Sequence, residues 1–364
     1  MRTRSLAAAF ALLAALLTPA VASAAPGVRF LGEQVVPFKL DFQGTTVGGL
    51  SGIDYDPRGG EYVLISDDRS YLQPARVYRA RIDIDRTALR SVRFTGTQPL
   101  RRPDGSTYPL NGIDPEEIRV DPWSGQYWIS QEGNRANPTI QPTIHRAERT
   151  GAHAGELPLP ANYQVTAERG PRQNLVLEAI TFSRRGAVLT SAMEGPLLED
   201  GPVPTTKAGA LSRITLHSRG GGVFAQHAYK QEPLYAESDP SSPWHADTGV
   251  ASILADPVDP SRYLVLERTY VPGPGYKARV YEISTRGATD VKDVDSLAKT
   301  QVKPVSKRLL LDLAELPMKA VFNIEGMTWG PPLSTGERSL VLVGDDNFTQ
   351  EEATQVIALA LRWP

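Results

Sequence analysis

Cysteine is absent from the 364 residues. That excludes disulfides, thiolate catalysis, cysteine-ligated zinc and lipid attachment through a cysteine. Histidine is scarce at five residues, and no pair has the short spacing of a zinc-ligand motif. Neither sign of charge dominates: 39 Lys and Arg stand against 41 Asp and Glu, a formal net charge of −2. Nucleic acid and anionic membrane surfaces are therefore not expected partners. After the first segment no run is apolar enough to span a membrane.

Turn formers are plentiful instead, 31 Gly and 30 Pro, which suits a turn-rich β protein. Residues 1–25 read as an export signal. Arg2 and Arg4 precede the apolar run Leu6–Leu17, and Ala22-Ser23-Ala24 is a small-x-small cleavage site. The remainder, 26–364, shows no composition break and is read as one domain, exported to the periplasm or the medium.

A hairpin-like unit recurs five times, at 48–68, 115–134, 177–195, 249–270 and 322–348. Ile53, Ile118, Ile180, Ile253 and Met327 occupy the same place in it, separated by 65, 62, 73 and 74 residues. Asp56-Pro57, Asp121-Pro122 and Asp256-Pro257 mark the turn in three copies, and Gly330-Pro331 in the fifth. In these turns Pro presets φ and Gly supplies positive φ.

Two further strand-like runs follow each of the first four hairpins, for example 75–84 and 89–100 after the first. Four strands per repeat is a β-propeller blade. The fifth repeat has one following run, 354–363, and the missing strand is found at the other end of the chain, in 28–38. The expectation is an all-β, five-bladed propeller closed by pairing of its N- and C-terminal strands. A sixth, degenerate blade is the alternative, though no segment is left over to make it. Pairing of the terminal strands hides two strand edges that would otherwise be open, and a closed, self-sufficient ring is expected to be a monomer.

Acidic residues recur at two points of the unit. Glu116, Glu117, Glu178 and Glu325 precede the aligned aliphatic residue. Asp67, Asp68, Glu132, Glu194, Glu267, Asp345 and Asp346 follow the second strand. In an antiparallel pair the start of one strand lies beside the end of the next, so both sets should share one face near the axis. Crowded carboxylates repel one another, and a hard cation such as Ca²⁺, which takes six to eight oxygens, relieves them. Arg69, Arg135 and Arg268 stand beside the acids and suit an anionic ligand group. The structural alternative is that the acids cap backbone amides at the blade tops or face water.

Among other candidates, His245 precedes the fourth hairpin with Asp247 close by, and is the best general base by position. His145, His153, His217 and His227 fall in outer strands and read as structural. Ser51 in GGLSG lacks the second glycine and the strand-to-helix context of a nucleophile elbow.

The stretches GGLSGIDYD, NGIDPEEIRVDP with YWISQEG, LEAITFS with AMEGPL, and FNIEGMTWGP with VLVGDDNF resemble the phytase-like family of exported bacterial proteins, described as having esterase-like activity. The resemblance runs from Gly48 to Asn347. It implies a propeller, hydrolysis of a phosphoester or other ester, and Ca²⁺. By role, Asp67, Glu116, Glu132, Glu194 and Asp345 become metal ligands, and Arg69, Arg135 and Arg268 bind the small ester or phosphate-bearing ligand. Glu178, Glu325 and His245 become the catalytic groups, with Glu178 and Glu325 also able to serve as ligands. The full calcium and phosphate motif set of the calcium-dependent alkaline phytases is absent, so phytate itself is not implied. A non-catalytic periplasmic propeller that binds a ligand or a protein is the alternative.

Overall fold

A computed structural model describes residues 27–136 and 138–363; the expected export signal lies outside them. The chain begins with β1 (Gly27–Val35) and a short hairpin, β2 (Asp41–Phe42) with β3 (Thr45–Thr46). Blade one is β4 (Leu50–Asp56), β5 (Glu61–Ser66), β6 (Arg76–Ile84) and β7 (Leu89–Pro99). Blade two is β8 (Pro115–Val120), β9 (Tyr127–Gln131), β10 (Thr143–Ala147) and β11 (His153–Leu157). Blade three is β12 (Ala179–Ser183), β13 (Val188–Ala192), β14 (Leu211–Ser218) and β15 (Val223–Lys230). Blade four is β16 (Asp247–Ala255), β17 (Arg262–Val271), β18 (Gly275–Ser284) and β19 (Ser306–Asp312). Blade five is β20 (Asn323–Pro332), β21 (Arg338–Asp345) and β22 (Gln355–Arg362), completed by β1.

The expected architecture is therefore the observed one, a five-bladed propeller whose last sheet runs β1-β22-β21-β20. β1 pairs antiparallel with β22 from Gly27↔Arg362 to Val35↔Gln355. No helix among the described residues is long and apolar enough to cross a membrane.

Each blade is apolar on both faces, so the cores lie between blades. Leu50, Leu64 and Tyr78 of blade one meet Val341, Val343 and Val356 of blade five. Equivalent clusters join blades four and five, three and four, one and two, and two and three. Truncating one such side chain, for example Leu342→Ala, removes packing worth roughly 2–5 kcal/mol.

The repeated Asp-Pro turns hold themselves and tie blades together. Asp56, Asp121 and Asp256 accept the backbone N–H two residues on, at 3.0, 3.0 and 2.7 Å. Their second oxygens meet Arg149, Arg219 and Arg262 respectively. Arg149 and Arg219 belong to the next blade along the ring, so a local turn signal also sets the spacing between blades.

Midway down the axis the channel is filled by Arg119, which is 2% exposed. Its Nε donates to Ile180 O at 2.8 Å, its Nη1 to Ile53 O, and its Nη2 to Ile253 O and Met327 O, both at 3.1 Å. Those four acceptors are the aligned residues of the other four blades. One guanidinium from blade two thus bonds every other blade at the level of the repeat's register residue.

Candidate functional site

The register places ten side-chain positions around one mouth of the channel. Pairing aligns Ile53↔Leu64, Ile118↔Ile129, Ile180↔Ser191, Ile253↔Val265 and Met327↔Leu342. Three residues beyond each second-strand partner stand Asp67, Glu132, Glu194, Arg268 and Asp345. Two residues before each first-strand partner stand Ser51, Glu116, Glu178, Ala251 and Glu325. In blade four the acid is replaced by Arg268, and its neighbouring position holds only Ala251.

In four of the five blades the first-strand position is aimed by a repeated irregularity, while β12 of blade three pairs with β13 without one. The ladder slips by one residue at Leu50/Gly52, Pro115/Ile118, Val250/Ser252 and Ile324/Gly326. The extra residue is Ser51 in blade one, Ala251 in blade four and Glu325 in blade five; in blade two it falls within Glu116–Glu117. A bulge breaks the in–out alternation and re-aims the side chain it carries. Gly49 keeps the backbone close to this ring: its φ is +58°, and a Cβ there would lie 2.1 Å from Asp67 Oδ1.

The acids are packed together and buried. Glu116, Glu178 and Glu325 are 8% exposed, and Glu132, Glu194 and Asp345 less. Two sets, Asp114–Glu116–Glu132 and Glu132–Glu178–Glu194, each bring three carboxylate oxygens within 4.8 Å of one another, and Glu132 belongs to both. Asp67 Oδ1 is buried without a hydrogen-bond partner among the described residues.

Burial is the first cause of the raised pKa values here. It lifts Asp67, Glu116, Glu178, Glu194 and Asp345 well above the usual carboxylate range. The neighbouring carboxylates push the same way. Glu132 is raised to about 7, by burial and then by Asp114. Glu325 is raised by burial, against the pull of Arg268 and a 2.9 Å bond from Asn323 Nδ2.

Arg268 is the cation among these acids. Its Nη1 donates to Asp247 at 2.7 Å, and its Nη2 to Glu194 at 3.1 Å and Glu325 at 3.4 Å. Burial opposes its charge, but Asp247, Glu194 and Glu325 more than offset that. Arg69 lies on the other side, its Nε 2.7 Å from Asp114 Oδ1, with its side chain 38% exposed. Two guanidiniums among nine carboxylates, counting Asp114 and Asp247, leave excess negative charge that burial makes costly.

The structure thus gathers Asp67, Arg69, Glu116, Glu132, Glu178, Glu194, Arg268, Glu325 and Asp345. Arg135 is not among them. It braces a loop, donating to the carbonyls of Thr166, Arg169 and Pro171. His245 is exposed on the loop leading into Asp247, without a hydrogen bond among the described residues. Other acids of the repeat go elsewhere. Glu267 meets Tyr229 and Lys307, Asp68 meets Arg76, and Asp346 accepts Gly49 N–H at 3.0 Å.

Sequence reasoning missed Asp114 and Arg119. Asp114 sits just outside the repeat unit, before Pro115. Arg119 had a signal, a charge within the apolar strand two residues after Glu117. A Ser–His hydrogen bond does exist, Ser191 Oγ to His217 Nε2 at 2.8 Å, but both residues are sealed inside blade three.

The larger hollows lie away from these acids. One of about 500 Å³ opens at the opposite end of the channel, over Asp54, Arg119 and Trp329. Another of about 1150 Å³ is a cleft along blades three and four, lined by Lys230, Tyr281 and Lys307.

The family model described as phytase-like, "esterase-like activity of phytase", matches residues 45–348. The chain belongs to the phytase-like family. The match takes in every acid of the mouth and both of its arginines. No curated protein matches the sequence. Among solved structures, the chain is similar to a periplasmic gluconolactonase of Pseudomonas aeruginosa at 10% identity and TM-score 0.36, covering 87% of this chain and 89% of that one. It is similar to a glucose dehydrogenase at 8% identity and TM-score 0.41, covering 93% and 100%. It also resembles the Dos1 propeller at 6% identity and TM-score 0.35, covering 85% and 68%. Likeness at this level carries no argument about chemistry.

Proposed function

We propose that this phytase-like protein is an exported hydrolase of phosphoesters or other esters, working at the acidic mouth with Ca²⁺. The observation that carries the reading is the pair of carboxylate triads sharing Glu132, flanked by Arg69 and Arg268. The donor set fits a hard cation: it is all oxygen, crowded, and left with Asp67 Oδ1 unpartnered. Asp67, Asp114, Glu116, Glu132, Glu178, Glu194 and Asp345 would supply the ligands. Bound there, the ion would supply positive charge for a phosphate or carbonyl oxygen and lower the pKa of water.

The chain's own groups complete the chemistry. Arg69 is the more exposed guanidinium and meets an anionic substrate group first, while Arg268 balances charge deeper in. Burial favours the protonated form of both Glu178 and Glu325, and Glu325, which lies outside both triads, is the group we assign to deliver a proton to a leaving alcohol. Hydrolysis of an aryl phosphate and an aryl acetate, with chelator and with Ca²⁺ added back, tests the reading. Loss of turnover in Glu178→Gln and in Glu325→Gln, with unchanged folding, supports it. Normal turnover in both variants sinks the site.

A second reading, a ligand-binding propeller without turnover, has its own support. Ser51 Oγ donates to Glu116 O at 2.7 Å, and His245 is exposed, so among the described residues no hydroxyl–imidazole pair stands at the mouth. It predicts ligand-induced thermal stabilisation with no product formed.

A further inference from the structure

His145 lies on β10 and His153 on β11, in the outer half of blade two. Regular alternation would put them on opposite faces. The ladder pairs His145↔Glu156 and Arg146↔Gly155, and then Ala147↔His153, so Ala154 is an extra residue. The slip turns His153 onto the face that carries His145 and Glu156. Gly155 makes this possible: its φ is +125°, and a Cβ there would lie 2.5 Å from the Arg146 guanidinium.

His145, His153 and Glu156 each bring a ligand atom within 4.8 Å of the other two. His145 is 8% exposed, yet neither of its ring nitrogens makes a hydrogen bond among the described residues. A buried imidazole in that state needs a partner. Its Nδ1 is 3.4 Å from Glu156 Oε1. Tetrahedral Zn²⁺ with bonds near 2.1 Å sets its ligand atoms about 3.4 Å apart. The Tyr108 ring stands edge-on to His145 at 6.1 Å and covers it from the loop before β8.

We propose that His145, His153 and Glu156 bind a divalent transition metal that prefers imidazole, such as Zn²⁺, at the seam of blades one and two. This site is separate from the acidic mouth. Its two nitrogens and one oxygen differ from the all-oxygen set there, so the two select different ions. Burial lowers the His145 pKa to about 4, which leaves the ring neutral and able to ligate at neutral pH. Three protein ligands leave a fourth position for water. The ion would join the two outer strands of the blade to each other across the bulge.

The test is a titration of the chelator-treated protein with Zn²⁺, followed by metal analysis, and with Co²⁺ as an optical probe. One Zn²⁺ per chain is expected, with the intense visible bands of tetrahedral, nitrogen-ligated Co²⁺. His153→Ala, at a half-buried position, should weaken binding at least about tenfold, and Glu156→Gln less. Glu132→Gln, at the mouth, should leave it unchanged. Thermal melts of the metal-free variants confirm that they fold. Absence of stoichiometric binding, unchanged affinity in His153→Ala, or loss of the site in Glu132→Gln would each overturn the assignment.

Discussion

The Arg119 guanidinium lies 2.8 Å from the Glu117 carboxylate, two residues back on the same strand, and the two groups together occupy the centre of the ring. Glu117 Oε1 accepts Ile53 N–H and Ile118 N–H, and its Oε2 accepts Ser252 Oγ–H. Arg119 answers with four carbonyls. The pair converts a hole lined by backbone into a satisfied polar network linking all five blades.

Breaking that pair should be costly. Arg119→Met leaves the buried Glu117 carboxyl without the guanidinium that faces it and four carbonyls without a donor, a loss on the order of 3–5 kcal/mol. Lysine cannot substitute, because one ammonium has three donors and no fork. The double variant Arg119→Met/Glu117→Leu should recover part of the loss. Urea unfolding of the three proteins checks this, and a loss under about 1 kcal/mol for the single change would refute the clamp.

Stability of the metal-free protein should fall as pH rises. Glu132 is raised from 4.5 to about 7, and Glu117, chiefly by burial, from 4.5 to about 8. Between those limits the folded state holds protons that the unfolded state has released, so the slope of stability against pH is negative. The melting temperature without metal should therefore drop across about pH 5 to 8. A flat or rising profile in that window would contradict the burial of these acids.

Ca²⁺ should reverse the trend. It competes with those protons, so its stabilising effect grows with pH. Glu132→Gln, which removes the carboxylate shared by both triads, should abolish most of the Ca²⁺-dependent shift. Calorimetric melts with and without millimolar Ca²⁺ measure this, and an equal shift in variant and parent would place the ion elsewhere.

Arg268→Gln should tighten cation binding while weakening an anionic substrate. It removes the guanidinium that now meets Glu194, Glu325 and Asp247. Titration calorimetry with Ca²⁺ and the KM for an aryl phosphate read the two effects separately. Ca²⁺ binding unchanged or weaker in the variant would show that Arg268 does not balance the acidic ring.

Much of the fold was legible because the repeat writes it five times. The aligned Ile53, Ile118, Ile180, Ile253 and Met327, with Asp-Pro turns behind three of them, mark strand pairs. The odd strand count points to closure by the termini. The face of the acids was legible from antiparallel geometry, but the inward aim of Glu116 and Glu325 was not, because it comes from bulges in β8 and β20. Arg135 looked like Arg69 and Arg268 by position, yet its longer following loop turns it toward the carbonyls of 166–171. The pairing of His145 with His153 was invisible for the same reason as the aim of the acids. A one-residue slip changes faces, and spacing counted along the chain does not record it.

The closing sheet has a consequence for the order of assembly. β1 is the first strand of the described chain and finds its partner only in β22, more than three hundred residues later. Until then the last sheet lacks its outer strand, and the guanidinium of blade two lacks some of its acceptors. Loop closure over such a span is slow. Ring completion is therefore expected to be a late, all-or-none event, and a chain stopped short of its final ten residues should remain an open arc rather than a smaller wheel.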